Sequence, residues 1–275
     1  MILERRQVLS SALAIGGAIG SASLCGPLAA APRARSAAGL TPLQKFVRIR
    51  CSAAGRRTTW WYSGQLLGRV GNAPLQPLFS IVGASQTIGK WRDDGSFSYE
   101  MIEAGYYGAL DPAAIADAPI INPLTGELVK AQHYLSPQKI RFTPALKVEF
   151  DQPVSAQAGR FSGTITPPDE KGDRIWMAEH LLGELYATPD RPSRVSNSMA
   201  NFEASLSAVL AGGAFVPATM QYTTFNSFRP WMNMGAAQGS ICSRLNAVKL
   251  DSWKRVPAAL RSRIATDHPG VFFDA

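Results

Sequence analysis

From Thr58 to Asn226 the chain is written in short runs of aromatic, apolar and β-branched residues, cut at close intervals by Gly, Pro and Asp-Gly. Thr58 to Gly68 is the first run, and Leu78 to Gly83 and Gln86 to Trp91 follow it. The hairpin signal Asp93-Asp94-Gly95 leads into Ser96 to Ala104, where apolar and polar residues alternate with the period of a half-buried strand. Leu128 to Tyr134 leaves a turn at Asn122 to Glu127. Further strand segments are read at Ile140 to Phe142, Ala145 to Phe150, Arg160 to Thr166, Arg174 to Ala178, Leu181 to Thr188 and Phe215 to Asn226. Pro167 to Gly172 marks an exposed hairpin end. The helical crossovers that a parallel sheet needs are missing. Two segments have helical character. In Asn197 to Leu210, Met199, Phe202, Leu206 and Leu210 recur at spacings of three and four, as in an amphipathic helix or an edge insertion, and Pro257 to Ala265 opens on a proline. The pattern predicts a mainly β, single-domain antiparallel β-barrel or barrel-like sandwich, calycin-like, with one or two short helices. A closed barrel has no edge strands and leaves an apolar interior able to hold one small ligand.

With 275 residues, 46% of them hydrophobic, the chain can bury a full core, which excludes disorder as its main state. Lys and Arg number 28 against 20 Asp and Glu, a net charge of +8. Four of those arginines and one glutamate fall in the first 38 residues, which leaves +5 spread thinly over the rest. That distribution argues against a nucleic-acid partner. The N-terminus pairs Arg5-Arg6 with Val8-Leu9 and continues into the weakly apolar run Ser11 to Leu24. This is the pattern of a twin-arginine export signal, with small-residue cleavage candidates at Ala29 to Ala31 and Ser36 to Ala38. The run is shorter than the ~20 residues a bilayer core requires, so no stable membrane span is expected. The reading is therefore a signal and linker over 1–38, a β-rich domain over 39–275, the twin-arginine machinery as partner, and the periplasm as destination. Cys51 and Cys242 remain after cleavage, and their pairing is left open. No CxxC and no Cys/His cluster appears, so neither a metal site nor a cofactor is expected.

Among titratable residues, His133 is the first candidate acid/base, since its ordinary pKa suits proton transfer near neutrality. Glu103, Tyr106 and Arg92 are the candidates for polarising a substrate beside it. Glu100 and Glu103, three apart in one strand, face opposite sides and cannot act as a carboxylate pair. His180 and its neighbour Glu179 are separated by the same rule. Gly-rich phosphate loops and Gly-x-Ser-x-Gly elbows do not occur. Trp61, Trp91, Asn122, Tyr222, Arg229, Trp231, Met232 and Met234 are the candidate ligand-binding residues, because aromatics, methionines and a few polar groups line pockets for flat apolar molecules.

Three blocks carry a family resemblance. Leu78-Phe79-Ser80-Ile81-Val82-Gly83, the segment Asn122-Pro123-Leu124-Thr125-Gly126-Glu127 with His133 behind it, and Phe228-Arg229-Pro230-Trp231-Met232-Asn233-Met234-Gly235 with Gly239 and Lys249-Leu250 beyond are similar to motifs of the bacterial DUF1838 family of exported proteins. Met101-Ile102-Glu103 stands where that family has an Arg-Glu pair, so no arginine role is carried over. The resemblance implies a shared fold and a shared pocket but no reaction. The expected function is an exported protein with an interior pocket for a small apolar or aromatic molecule, acting as a cofactor-free lyase, isomerase or hydrolase through His133. The alternative is a lipocalin-like carrier or sensor without turnover, and a structural envelope protein is a third reading.

Overall fold

A computed structural model describes residues 39–110, 115–150, 159–188 and 191–273. The expected export signal, 1–38, lies outside the described residues. Helix α1 (Pro42–Arg50) comes first. It is followed by β1 (Thr58–Val70), β2 (Gln76–Trp91), β3 (Phe97–Gly108), the two-residue strands β4 (Ile120–Ile121) and β5 (Leu128–Val129), β6 (Tyr134–Phe142), β7 (Lys147–Phe150) and β8 (Gly159–Ile165). The chain continues through β9 (Asp169–Lys171), β10 (Arg174–Thr188), β11 (Arg191–Ser205), α2 (Leu206–Ala211), β12 (Ala218–Asn226), β13 (Gly239–Leu250) and α3 (Ala258–Asp267). Around the wall the order is β1, β2, β3, β6, β7, β8, β10, β11, β12, β13 and back to β1, with every neighbour antiparallel. Ten strands thus close into a barrel with no free edge in the ring.

Helix α1 plugs one end, and its termini show why a helix forms at a place where the strand pattern gave no hint of one. Thr41 accepts from the Gln44 N–H while the Gln44 side chain accepts from the Thr41 N–H, a capping box just ahead of Pro42. At the other end every carbonyl of the last turn is met. The Cys51 N–H donates to the Val47 carbonyl at 2.8 Å, and Trp60 Nε1 donates to the Arg50 carbonyl at 3.0 Å. Lys249 Nζ donates to the carbonyls of Arg48 (2.8 Å), Ile49 (3.0 Å) and Cys51 (2.6 Å). Trp60 and Lys249 are direct cross-strand partners, so one pair in the barrel wall terminates the helix. Leu43, Phe46, Val47 and Ile49 are buried against the interior, each contributing roughly 1.5–3 kcal/mol of burial. Phe46 packs edge-on against Phe142 at 5.1 Å and Phe202 at 5.5 Å.

A smaller apolar cluster forms on the outer wall. Helix α3, as the sequence predicts near Pro257, lays Leu260 and Ile264 with Trp253 and Val256 over Ala84, Ala104 and Tyr106. The C-terminal segment is pinned by Gln86, whose amide donates to the Phe273 carbonyl (2.6 Å) and accepts from its N–H (3.0 Å).

Several sequence expectations require correction. Asn197 to Leu210 is not one helix: strand β11 runs to Ser205 and only Leu206–Ala211 is helical. Its buried residues are small ones at period two, Ser198, Ala200 and Ala204 with Phe202, whereas Met199 points out. Leu78 to Gly83 and Gln86 to Trp91 belong to one strand, as do Arg174 to Ala178 and Leu181 to Thr188. His133 sits in the link before β6 rather than in a strand. Strand β13, unforeseen, fills the position between β12 and β1. Cys51 and Cys242 are both buried free thiols, and burial pushes the Cys51 thiol up to about 11. Among the described residues no helix is long and apolar enough to cross a membrane.

Candidate functional site

Between the α1 plug and the opposite mouth lies a cavity of about 610 Å³. Its wall follows from strand alternation. On β3 the residues Tyr99, Met101, Glu103 and Tyr107 face inward while Glu100, Ile102 and Tyr106 face out. Glu100 is solvated beside Lys139, so the two glutamates do occupy opposite faces.

Halfway up, two tyrosines converge on Glu103. Tyr62 on β1 donates to Glu103 Oε1 at 2.7 Å and Tyr134 on β6 donates to the same oxygen at 3.0 Å. Their hydroxyl oxygens lie 2.9 Å apart. Burial first, and then the neighbouring Glu103 charge, pushes both phenols well above the ordinary tyrosine range, so both remain donors. Glu103 Oε2 makes no hydrogen bond to the described residues and is left to the cavity. The space for this cluster is made by Gly83 and Gly105, which face each other across β2 and β3. A Cβ on Gly83 would overlap the Tyr62 ring, and one on Gly105 would overlap the Tyr134 ring. Gly105→Ala is therefore expected to displace Tyr134 and cost about 1–3 kcal/mol in chemical denaturation. Gly213→Ala, where an added Cβ meets nothing closer than 3.5 Å, should stay within about 0.5 kcal/mol. Equal effects of the two substitutions would contradict this packing.

At the floor, Arg50 and Glu179 form a buried ion pair at 3.5 Å, their side chains 10% and 3% exposed. The Arg50 guanidinium also lies over the rings of Tyr99 (5.7 Å) and Phe202 (5.4 Å). Burial lifts the Glu179 carboxyl above its ordinary value, and Arg50 opposes that shift.

The mouth is covered by the segment Phe228 to Gly235. Trp231 packs on Phe79 at 5.1 Å and on Tyr107 at 5.2 Å. Asn122, wholly buried, holds this cover: its Nδ2 donates to the Met232 carbonyl at 2.7 Å and its Oδ1 accepts from the Leu124 N–H at 3.0 Å. Asn233 Nδ2 adds a bond to Glu127 at 2.6 Å. Leu78 to Gly83, Asn122 to Glu127 and Phe228 to Gly235 thus meet at the mouth, whereas Lys249 sits at the plugged end.

Of the sequence-predicted site residues, the fold brings Glu103, His133, Tyr222, Arg229 and Trp231 to the cavity. It sets the others apart. Tyr106 and Trp61 pack outside the wall in the α3 cluster, where the Tyr106 ring lies 5.0 Å from that of His133. Arg92 is exposed on the hairpin at the plugged end and Trp91 packs edge-on against Phe97 beside it. Asn122 and Met232 are latch and core, and Met234 lies in a shallow cleft beside the mouth. His133 lines the cavity with both ring nitrogens engaged by backbone. The Tyr107 N–H donates to Nδ1 at 3.2 Å, so Nε2 carries the proton and donates to the Ala116 carbonyl at 3.1 Å. Burial lowers its pKa, which keeps the ring neutral in this role. Tyr134, Arg50 and Glu179 were missed. Tyr62 and Tyr107 were visible only as strand aromatics.

Fold and site together define an antiparallel barrel with an enclosed, aromatic-lined chamber that carries a tyrosine-clamped carboxylate. No protein-family model, no curated protein and no solved structure matches the chain.

Proposed function

We propose that the protein is an exported barrel that binds a small, largely aromatic molecule inside its chamber. The observation that carries this reading is the cavity of about 610 Å³, walled by aromatics and offering an unbonded carboxylate oxygen on Glu103. Its volume falls within the range typical of small-molecule sites. The kinship with DUF1838 rests on the sequence resemblance of the three blocks alone. The test is native mass spectrometry of protein purified from its own cell envelope. A co-purifying small molecule that dissociates on activation is expected, and Ser243→Trp, which projects an indole into the chamber, should abolish it. A bare polypeptide mass, or an adduct unaffected by the substitution, would count against the reading.

A second reading, cofactor-free acid–base catalysis, is favoured by one feature: Glu103 with Tyr62 and Tyr134 is a proton-transfer set on the chamber wall. In that reading Glu103 takes the role first given to His133, whose nitrogens hold the β3 and Ala116 backbones together. Export by the twin-arginine route is proposed from Arg5-Arg6. The double variant Arg5→Lys/Arg6→Lys is expected to leave almost all of the chain uncleaved in the cytoplasm, read by fractionation and immunoblot. Unchanged export would remove this route.

A further inference from the structure

Four charged side chains line the chamber, two of each sign, yet only two of them are paired. Arg50 and Glu179 neutralise each other at the floor. Glu103 has no Lys, Arg or His within ion-pair distance among the described residues. Its two phenol partners share Oε1 and leave Oε2 facing the cavity. Arg229, at the mouth, likewise has no carboxylate within reach among the described residues, and its Nε is buried with no hydrogen-bond partner. A carboxylate and a guanidinium held apart in a partly desolvated chamber are costly to the empty protein unless a ligand completes them. Tyr222 lines the same chamber as both of them. The rest of the path is aromatic, with Tyr107 and Trp231 on the mouth side.

We infer that the chamber's ligand is a small aromatic zwitterion, its ammonium group bound at Glu103 and its carboxylate at Arg229. This rests on the small-molecule reading above and narrows it to one chemical class. Each end fits its partner. Oε2 can only accept, and an ammonium group brings donors that also face the phenol rings of Tyr62 and Tyr134. The guanidinium fork matches a carboxylate in a two-bond geometry that a neutral hydroxyl cannot reproduce. The sum of charge agrees as well, because the four lining charges cancel and call for a ligand of no net charge with its own two charges separated. The body joining them takes the aromatic wall, to which Tyr107, Trp231 and Tyr222 all contribute. The mouth position of Arg229 sets the direction of entry, ammonium end first.

Calorimetric titration with four para-substituted benzenes tests this: 4-(aminomethyl)benzoate, 4-methylbenzylamine, 4-methylbenzoate and 4-methylbenzyl alcohol. The wild type should bind the zwitterion 4-(aminomethyl)benzoate most tightly and the alcohol most weakly. Glu103→Gln should weaken 4-(aminomethyl)benzoate and 4-methylbenzylamine by about thirtyfold or more while sparing 4-methylbenzoate, and Arg229→Gln should weaken 4-(aminomethyl)benzoate and 4-methylbenzoate while sparing 4-methylbenzylamine. Should either variant fail to fold, the ranking of the four probes on the wild type still decides. The alcohol binding as well as or better than 4-(aminomethyl)benzoate overturns the zwitterion and leaves the aromatic chamber standing. A preference for 4-methylbenzoate over 4-(aminomethyl)benzoate overturns the ammonium site. Binding of none of the four overturns both the inference and the reading beneath it.

Discussion

Arg50→Met is expected to lower the unfolding free energy by about 3–5 kcal/mol, because it leaves the Glu179 carboxylate buried and unpaired. Glu179 is 3% exposed and has no other cation within ion-pair distance among the described residues. The same substitution removes the guanidinium from the faces of Tyr99 and Phe202, so some packing is lost as well. The double variant Arg50→Met/Glu179→Leu should recover most of that loss, since two apolar side chains of similar volume no longer carry a desolvation cost. Urea denaturation of the wild type and both variants measures this. Equal losses in the single and double variants would show that the arginine acts by packing alone, and the floor would then not be an electrostatic unit.

Lys249→Met is the second large effect, on the order of 3 kcal/mol, and it acts on the plug rather than the wall. The ammonium group serves the carbonyls of Arg48, Ile49 and Cys51 together, at the negative end of α1. Burial pushes Lys249 towards losing its proton; Cys51 opposes that and the Arg50 charge adds to it. Methionine matches the length of the chain but has no donor, so three buried acceptors are stranded at once. The helix should then detach before the barrel opens, seen as accelerated amide exchange over 42–50 ahead of the strands. Exchange rising uniformly across the whole chain would mean that α1 is not separately anchored.

The sequence made the barrel legible where the inward residue of each pair is large and the outward one small or polar. Ser96 to Ala104 is such a segment, and it also placed Glu100 and Glu103 correctly on opposite faces. Strand β11 reverses the rule: its interior is lined by Ser198 and Ala200 while Met199 faces out, so the helical spacing of its large residues prevailed in the reading. Strand β13 hides for a related reason, with Ser243 and Lys249 inward on a strand otherwise marked by polar residues. The Tyr62–Glu103–Tyr134 cluster depends on the registers of β1, β2, β3 and β6 at once, which no local pattern contains. Its one local trace is a glycine in each of two adjacent strands, Gly83 and Gly105. His133 was readable as a cavity residue, but the backbone partners that occupy its ring come from Tyr107 and the loop at Ala116. Lys249 was visible only as part of a motif, and its capping role needs the helix it caps.

A hollow interior is the premise beneath every functional statement, and Ser243→Trp measures it most directly. Ser243 is buried on the inner wall and borders the chamber. If the chamber is hollow, an indole enters unoccupied space, so the melting temperature should hold or rise while binding of an environment-sensitive aromatic dye is lost. A steep fall in melting temperature with dye binding retained would mean that the barrel is packed solid and that no molecule resides inside it.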